Sequence, residues 1–232
     1  MITSLQSAYI LHSRSYKESS GLLDLITEQD GRISLLAKGF KSGKKSKKSF
    51  LQPFRKLSIA WVGRSELKTL TVAEEQGLPI VLEENALMSG LYVNELLARL
   101  IHPHDPHPEI FEIYENTIQA LSSPVNVECL LRYFEKNILE ALGYGLQLTA
   151  DVDGEVLDPG ASYCYVLESG PYKSTRPIHG GVMVAGETLL RLESNQLEGI
   201  EPLKESKRLM RYILSPYLGS KPLKTRELFR YY

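Results

Sequence analysis

The chain has 232 residues, of which 43% are hydrophobic and 24% are charged, so it can bury one large core or two smaller ones. This composition is not typical of wholesale disorder, and no stretch approaches the roughly 18 apolar residues of a membrane-spanning helix. The N-terminus lacks the basic start and apolar run of a signal peptide, which predicts a cytoplasmic protein with no membrane segment.

The net charge of -1 hides an uneven distribution of charge along the chain. Residues 1–73 carry 13 basic and 5 acidic side chains, and residues 204–232 carry 8 and 2, which gives these segments +8 and +6. Residues 74–203 carry 6 basic and 21 acidic side chains, or -15. The pattern predicts basic surface from both ends of the chain around an acidic middle.

The first eighty residues predict a run of short strands with tight turns. Apolar segments of strand length occupy residues 5–12, 21–27, 32–37, 54–62 and 66–72. Gly31 lies where a hairpin turn needs a positive φ angle. Five strands in about 75 residues predict a small closed barrel, and the OB-fold is the commonest five-stranded barrel of this size that binds nucleic acid. The strand count alone also fits an SH3-like barrel.

A lysine-rich segment separates two of these strands, and no acidic residue lies between Gly31 and Gly63. So much like charge in one loop predicts contact with a polyanion, through phosphates and without regard to base sequence. A solvated loop without a ligand is the alternative. The predicted DNA-binding cations of this segment are Lys38, Lys41, Lys44, Lys45, Lys47 and Lys48. Arg14 and Arg32, from the same basic part of the chain, are predicted to contact DNA with them.

Single-stranded nucleic acid is also held by aromatic rings that stack on its bases. Phe40 and Phe50 flank the lysine-rich segment, so they are predicted to be the stacking residues. Phe54 and Trp61 lie on a predicted strand and are expected in the core.

After Pro79 the apolar residues recur with helical spacing. Helices are predicted at residues 87–101, 109–121, 127–142, 187–192 and 203–218, with a last turn or two within 225–232. The fold class is therefore α+β, with a barrel domain at 1–79 and a helical domain at 80–232. A loop-rich insertion at about 149–186 contains one short strand candidate, residues 162–167.

The C-terminal helix carries basic residues at three- and four-residue intervals, which places them on one face. These are Lys204, Lys207, Arg208 and Arg211, and further basic residues follow at Lys221, Lys224, Arg226 and Arg230. Lys207 and Arg211 are predicted to form a second anion-binding patch. A solvated helix face is an equally good interpretation.

Motifs for catalysis are missing from the sequence. There is no GxSxG elbow, phosphate-binding GxxxxGK[ST] loop or HExxH helix, which predicts no enzyme, no cofactor and no metal site. Loop histidines at 102, 104 and 107 favour ordinary surface positions. The acidic residues from Asp151 to Asp158 lack the glutamate spacing of a calcium loop. Cys129 and Cys164 share no metal-type spacing and are expected to be isolated buried thiols.

The chain resembles the bacterial RecO family along nearly its whole length, and most closely the gammaproteobacterial type. The matching segments, in order, are residues 9–14, 28–38, 51–54, 89–100, 142–145 and 216–230. The resemblance implies an N-terminal OB-fold and a C-terminal helical domain. It also implies binding of single- and double-stranded DNA, annealing of complementary strands, and cooperation with RecR to load RecA onto strands coated by single-stranded-DNA-binding protein.

Two further expectations come from this resemblance. Some family members hold zinc with four cysteines, but the corresponding loop here retains only Cys164, so no zinc is expected. The family type also grips the acidic C-terminal tail of single-stranded-DNA-binding protein, and Arg132, beside Leu131 and Phe134, matches the gripping position. A guanidinium can bind a terminal carboxylate through two hydrogen bonds. An ordinary ion pair with Glu128 or Glu135 is the alternative.

Two other functions remain open at this point. Phosphate contacts and stacking do not separate DNA from RNA, so an OB-fold RNA-binding protein is the main alternative. A nuclease that uses the acids from Asp151 to Asp158 with a divalent ion is a weaker one.

Overall fold

The computed structural model describes residues 4–40, 47–63, 65 and 67–228, except for the side chains of Lys47 and Leu228. Of the predicted DNA-binding lysines, Lys41, Lys44 and Lys45 lie outside these residues. The N-terminal strands are β1 (Gln6–Tyr16), β2 (Ser20–Thr27), β3 (Gly31–Ala37), β4 (Lys56–Val62) and β5 (Leu67–Glu75), with a short 3-10 helix at Lys47–Ser49.

The five strands close into a barrel in the order β1-β2-β3-β5-β4. Neighbours pair antiparallel except β3 and β5, which run parallel and close the barrel. Alternate residues of β2 and β3 are buried, as the period of two in a half-exposed strand requires. The predicted OB-fold barrel is therefore confirmed. Its interior is filled by the side chains of Ala8, Ile10, Leu23, Leu25, Ile33, Leu35, Ala37, Phe40, Leu51, Leu57, Ile59, Trp61 and Leu70.

β1 is buried on both faces from Ala8 to Leu11, because helices cover its outer side there. Helix α1 (Glu84–Leu100) sends Asn94 Nδ2 to donate to the Leu11 carbonyl at 3.0 Å. Helix α2 (Pro108–Leu121) contributes the Tyr114 hydroxyl, which donates to Asn94 Oδ1 at 2.8 Å. The Tyr9 ring packs against Tyr114 with centroids 5.1 Å apart. These buried bonds and ring contacts fix both helices to the barrel.

The β2–β3 turn depends on a glycine at residue 31. Gly31 has a φ angle of +64°, and a Cβ atom added to it would lie 2.0 Å from the Asp105 carbonyl oxygen. The connection between α1 and α2 thus packs directly on the turn, and His104 N donates to the Arg32 carbonyl at 2.9 Å. Only glycine satisfies both the backbone angle and the close approach.

We expect Gly31→Ala to lower the free energy of unfolding by more than about 2 kcal/mol, because left-handed backbone strain and overpacking add. Gly77→Ala is the matched control: its φ angle is +81°, but nothing lies within 4 Å of the added Cβ. The control should lose only the strain, about 1 kcal/mol. Urea unfolding measures both variants, and equal destabilisation would show that the close approach of Asp105 is unimportant.

The remainder of the chain contains helices and a small sheet. The helices are α3 (Val127–Ala141), α4 (Gly186–Glu193), α5 (Ile200–Leu218) and α6 (Thr225–Leu228). Within the predicted loop-rich insertion, strands β6 (Ser162–Val166), β7 (Gly170–Lys173) and β8 (Val182–Ala185) form an antiparallel sheet in the order β7-β6-β8. The sequence indicated only β6, because β7 and β8 have four residues each and adjoin glycines.

The chain divides into two compact units. One contains the residues up to Pro124 together with the segment from Pro222, and the other is Val125–Lys221. This division differs from the predicted boundary at residue 79, because α1 and α2 pack on the barrel. In the described part of the chain, none of the helices has the length and apolar character needed to cross a membrane.

The segment from Pro222 joins the barrel unit through Glu95 of α1. The Glu95 carboxylate accepts hydrogen bonds from Lys224 N, Thr225 N and Thr225 Oγ1 at 2.7 to 2.9 Å. Burial acts to raise the pKa of Glu95, but these hydrogen bonds and the nearby Arg99 hold it below its usual value. The segment from Pro222 is therefore anchored to α1 by the Glu95 carboxylate.

Candidate nucleic-acid interface

The two ends of the lysine-rich segment meet at one end of the barrel. Lys48 N donates to the Phe40 carbonyl at 3.2 Å, so residues 40 and 48 lie side by side. The Phe40 ring packs against Gly21 in the barrel interior. A Cβ atom added to that glycine would be 2.5 Å from Phe40 Cγ. The Phe40 ring thus fills one end of the barrel, where the lysine-rich segment begins.

This burial corrects the stacking role predicted for Phe40. Its side chain is 2% exposed, so neither ring face is available to a base. Phe50 is half-buried and packs against the barrel core, so only part of its ring is accessible. The core positions expected for Phe54 and Trp61 are confirmed, with 6% and 2% exposure. An aromatic residue next to a lysine-rich segment can therefore belong to the hydrophobic core.

The predicted cations near this end differ in accessibility. Arg14, Lys38 and Lys48 are exposed. Arg32 is half-buried: its Nη1 donates to the Ile101 carbonyl at 3.2 Å, and its Nη2 lies 4.0 Å from Asp24 Oδ1. Arg32 thus has a structural task in holding the α1–α2 connection, which leaves less of its charge for a ligand.

Basic residues at the start of β4 are paired with acids. Arg55 bonds to Glu75, and Lys56 Nζ lies 2.6 Å from Glu115 Oε1. Although burial acts to raise the pKa of Glu115, hydrogen bonds from Lys56 and Tyr9 hold it below its usual value. The charges of Arg55 and Lys56 are therefore matched within the barrel unit, which leaves them less available to an anionic ligand.

Two residues at the Phe40 end of the barrel were not identified from the sequence. Tyr16 ends β1 with 37% of its side chain exposed, and the Lys17 ammonium lies 5.5 Å from the centre of the Tyr16 ring. The predicted first strand stopped at residue 12, which left both residues in a loop. The signal that could have found them is the alternation of side chains in HSRSY, continued to the turn.

The C-terminal basic patch is partly neutralised. Lys207 Nζ lies 2.7 Å from Glu128 Oε1 of α3, and this hydrogen bond, opposed by burial and aided by the charges of Lys207 and Arg132, lowers the pKa of Glu128. Arg208 Nη2 donates to the Met183 carbonyl at 2.6 Å. Arg211 is exposed, so it is the better placed of the two predicted DNA contacts on α5.

Arg132 lies on α3 and is 7% exposed. Its Nη2 donates to Glu135 Oε1 at 2.5 Å, the ion pair that the sequence left open as an alternative. Arg132 Nε is buried and has no hydrogen-bond partner within the described residues. A buried guanidinium with an unused donor retains the capacity to bind an additional acceptor.

The apolar neighbours predicted to contact a partner tail need correction. Phe134 is 1% exposed and Leu131 is 7% exposed, so both side chains pack inside the unit and neither lines an open surface. They hold α3 in place, and Arg132, which is equally buried, is the member of the predicted set with a hydrogen-bond donor that is unused within the described residues.

Asp151, one of the acids considered for metal-dependent chemistry, has a structural role. Asp151 Oδ1 accepts hydrogen bonds from Asp153 N and Glu155 N, each at 3.0 Å, which stabilises a turn. Within residues 4–40, 47–63, 65 and 67–228, no three His, Cys, Asp or Glu side chains cluster so as to hold a metal ion.

Comparison with known proteins finds related sequences over nearly the whole chain. The family model described as "Recombination protein O N terminal" matches residues 1–76, and "Recombination protein O C terminal" matches residues 84–227. The chain is 42% identical over 227 residues to "DNA repair protein RecO" of Methylococcus capsulatus, covering 97% of this chain and 93% of the relative. A "DNA repair protein RecO" of Haemophilus influenzae is 42% identical over 230 residues, with 99% and 97% covered.

Proposed function

Because the chain belongs to the RecO family of DNA repair proteins, we propose that it is a recombination mediator that binds single- and double-stranded DNA and anneals complementary strands. It works in the cytoplasm, at the nucleoid, and catalyses no chemical reaction. With RecR it helps RecA to replace single-stranded-DNA-binding protein on coated strands. The observation that carries the DNA-binding part is the basic loop end of the OB-fold barrel.

At that end, charge and accessibility favour a phosphate backbone as the ligand. Arg14, Lys38 and Lys48 are exposed, and the sequence between Phe40 and Lys48 contains four more lysines and no acid. Ammonium and guanidinium groups contact phosphates without reading base edges, so binding is independent of sequence. Neutralising charge on two strands lets them approach each other, which is what annealing requires.

The link to coated strands is Arg132. The acidic tail of single-stranded-DNA-binding protein ends in a carboxylate, and Arg132 Nε is a buried donor without a partner in the described residues. Capture of the tail places the mediator on the strand that it must anneal. Glu135 already bonds Arg132, so it holds the guanidinium in a fixed orientation.

The proposal is tested by measuring binding and annealing with purified protein. Fluorescence anisotropy should show binding to single-stranded and duplex DNA, and complementary bare oligonucleotides should anneal faster with the protein present. Labelled DNA challenged with RNA of equal length distinguishes the RNA-binding alternative, which requires that RNA compete better. DNA incubated with magnesium or manganese should stay intact. Absence of binding to any DNA would contradict the proposal.

We expect charge reversal at Lys207 and Arg211 to weaken duplex binding and to reduce the log-log salt slope by about 0.9 for each phosphate that is no longer neutralised. Arg211→Glu should have the larger effect, because Lys207 is already paired with Glu128. Lys173→Glu, an exposed lysine on β7, is the control. Circular dichroism checks the fold, and duplex affinity equal to that of the control would show that this helix face is only solvated.

A further inference from the structure

We propose that Tyr16 is the aromatic platform on which a base of single-stranded DNA stacks, with Arg14, Lys17 and Lys38 contacting the adjacent phosphates. This inference rests on the proposed DNA-binding function and adds a base-contacting residue to it. Phe40 is buried inside the barrel, so a base cannot stack on it. Tyr16 lies on the outer surface at the same end of the barrel.

The register of the strands places Tyr16 near Lys38, where the lysine-rich segment begins. Tyr16 pairs with Ser20 in the last β1–β2 step, and the preceding step pairs Ser15 with Gly21. Gly21 also pairs with Ala37, the last residue of β3, and Lys38 follows immediately. Since the Phe40 ring lies against Gly21 inside the barrel, Tyr16 and the base of the loop share one end of the barrel.

Alternation of side chains puts the Tyr16 ring on the outside. Gly21 and Ala37 face the core, so residues on either side of them in β2 and β3 face out. Arg14 lies two residues before Tyr16 on the same face of β1, and it pairs with Leu22, which in turn pairs with Leu36. Leu22 and Leu36 are half-buried, so the outer face offers apolar surface between cations.

The charges around Tyr16 suit a nucleotide. Lys17 has a left-handed backbone conformation, with φ of +52°, in the turn of residues 17–19, and this places its ammonium 5.5 Å from the Tyr16 ring centre. Arg14 and Lys38 are exposed nearby, and Glu18 in the turn is the acidic neighbour. Three cations against one acid attract an anionic ligand, and an exposed ring with a cation beside it provides both stacking and phosphate contact.

A strand of DNA with unpaired bases fits this surface better than a duplex. In a duplex the base faces are covered by their neighbours, whereas an unpaired base has a free face for a tyrosine ring. Base stacking on Tyr16 therefore distinguishes single-stranded from duplex DNA. The lysines cannot make this distinction, because phosphates are present in both forms. Tyr16 should contribute to single-strand binding and contribute little to duplex binding.

The test compares Tyr16→Ala with wild type on an oligothymidine and on an abasic strand of the same length. Removing the ring under one stacked base should weaken oligothymidine binding about 5- to 150-fold, the equivalent of roughly 1–3 kcal/mol. Binding to the abasic strand and to duplex DNA should stay within about twofold of wild type. Tyr16→Phe should restore oligothymidine affinity, because the ring is retained. Tyr144→Ala, which removes another exposed tyrosine, is the matched control.

The outcomes separate this inference from the function on which it rests. Unchanged oligothymidine affinity in Tyr16→Ala, while wild type binds DNA, overturns the stacking role and leaves the DNA-binding proposal standing. Equal weakening on the abasic strand also overturns it, since the residue would then support phosphate binding or the fold. If wild type binds none of these strands, the proposed function itself fails.

Discussion

Replacing Lys44, Lys45, Lys47 and Lys48 together by alanine should weaken binding to every DNA sequence alike and flatten its salt dependence. Each phosphate that a lysine no longer neutralises reduces the slope of log affinity against log salt by roughly 0.7–0.9, so removing all four lysines reduces it by about 3. At 0.1 M salt such a slope change corresponds to about a thousandfold lower affinity. Titration at several salt concentrations, on two unrelated sequences, measures both quantities.

The matched control replaces the same four lysines by arginine. Arginine keeps the charge, so the slope should stay at the wild-type value, while alanine lowers it. Residual binding in the alanine variant should come from Arg14, Lys38 and the basic residues of α5. An alanine variant with the wild-type slope would show that the loop lysines are solvated and bind no phosphate.

Removing the Arg132 guanidinium should strongly weaken capture of the acidic tail while leaving binding to bare DNA intact. Hydrogen bonds to a charged group contribute roughly 1.5–3 kcal/mol, so tail-peptide affinity should fall about 10- to 150-fold. Binding to bare DNA should survive, because the lysine loop belongs to the other compact unit. Fluorescence polarisation of a labelled tail peptide, together with annealing of bare and coated strands, measures these effects.

The buried ion pair determines how this variant should be built. Arg132→Ala breaks the ion pair with Glu135, whose side chain is 1% exposed, and breaking a buried pair destabilises by roughly 3–5 kcal/mol. The double variant Arg132→Gln/Glu135→Gln removes both charges and retains hydrogen-bonding groups. Arg191→Ala, on α4, is the control arginine. Normal peptide affinity in the folded double variant would contradict the assignment.

Local pattern was sufficient for most of the fold. Alternating apolar residues and the glycine at 31 predicted β2, β3 and their turn, and helical spacing predicted α1, α2, α3 and α5, because each element buries one face. The sheet formed by β6, β7 and β8 was largely missed. Two of its strands are four residues long, and such short segments carry too few alternations to be recognised.

The candidate site was harder to predict, because it depends on which way side chains point. A phenylalanine beside six lysines predicts stacking. Phe40 instead packs in the barrel interior against Gly21, because the glycine has no side chain and leaves room for the ring. Tyr16, beyond the predicted end of its strand, has the exposed ring. Whether a side chain points inward depends on strand register, which long-range pairing fixes. The Arg132–Glu135 ion pair, by contrast, is local: the two residues lie three positions apart on α3, and this pairing was one of the two that the sequence allowed.

The decisive measurement is strand annealing on complementary DNA coated with single-stranded-DNA-binding protein, either intact or lacking its acidic tail. The wild-type protein should anneal strands coated with the intact protein and fail on strands coated with the truncated one. Bare strands, included as the reference substrate, should anneal normally. Equal annealing on both coated substrates would contradict the proposal that tail capture brings this OB-fold DNA-binding surface to its strand.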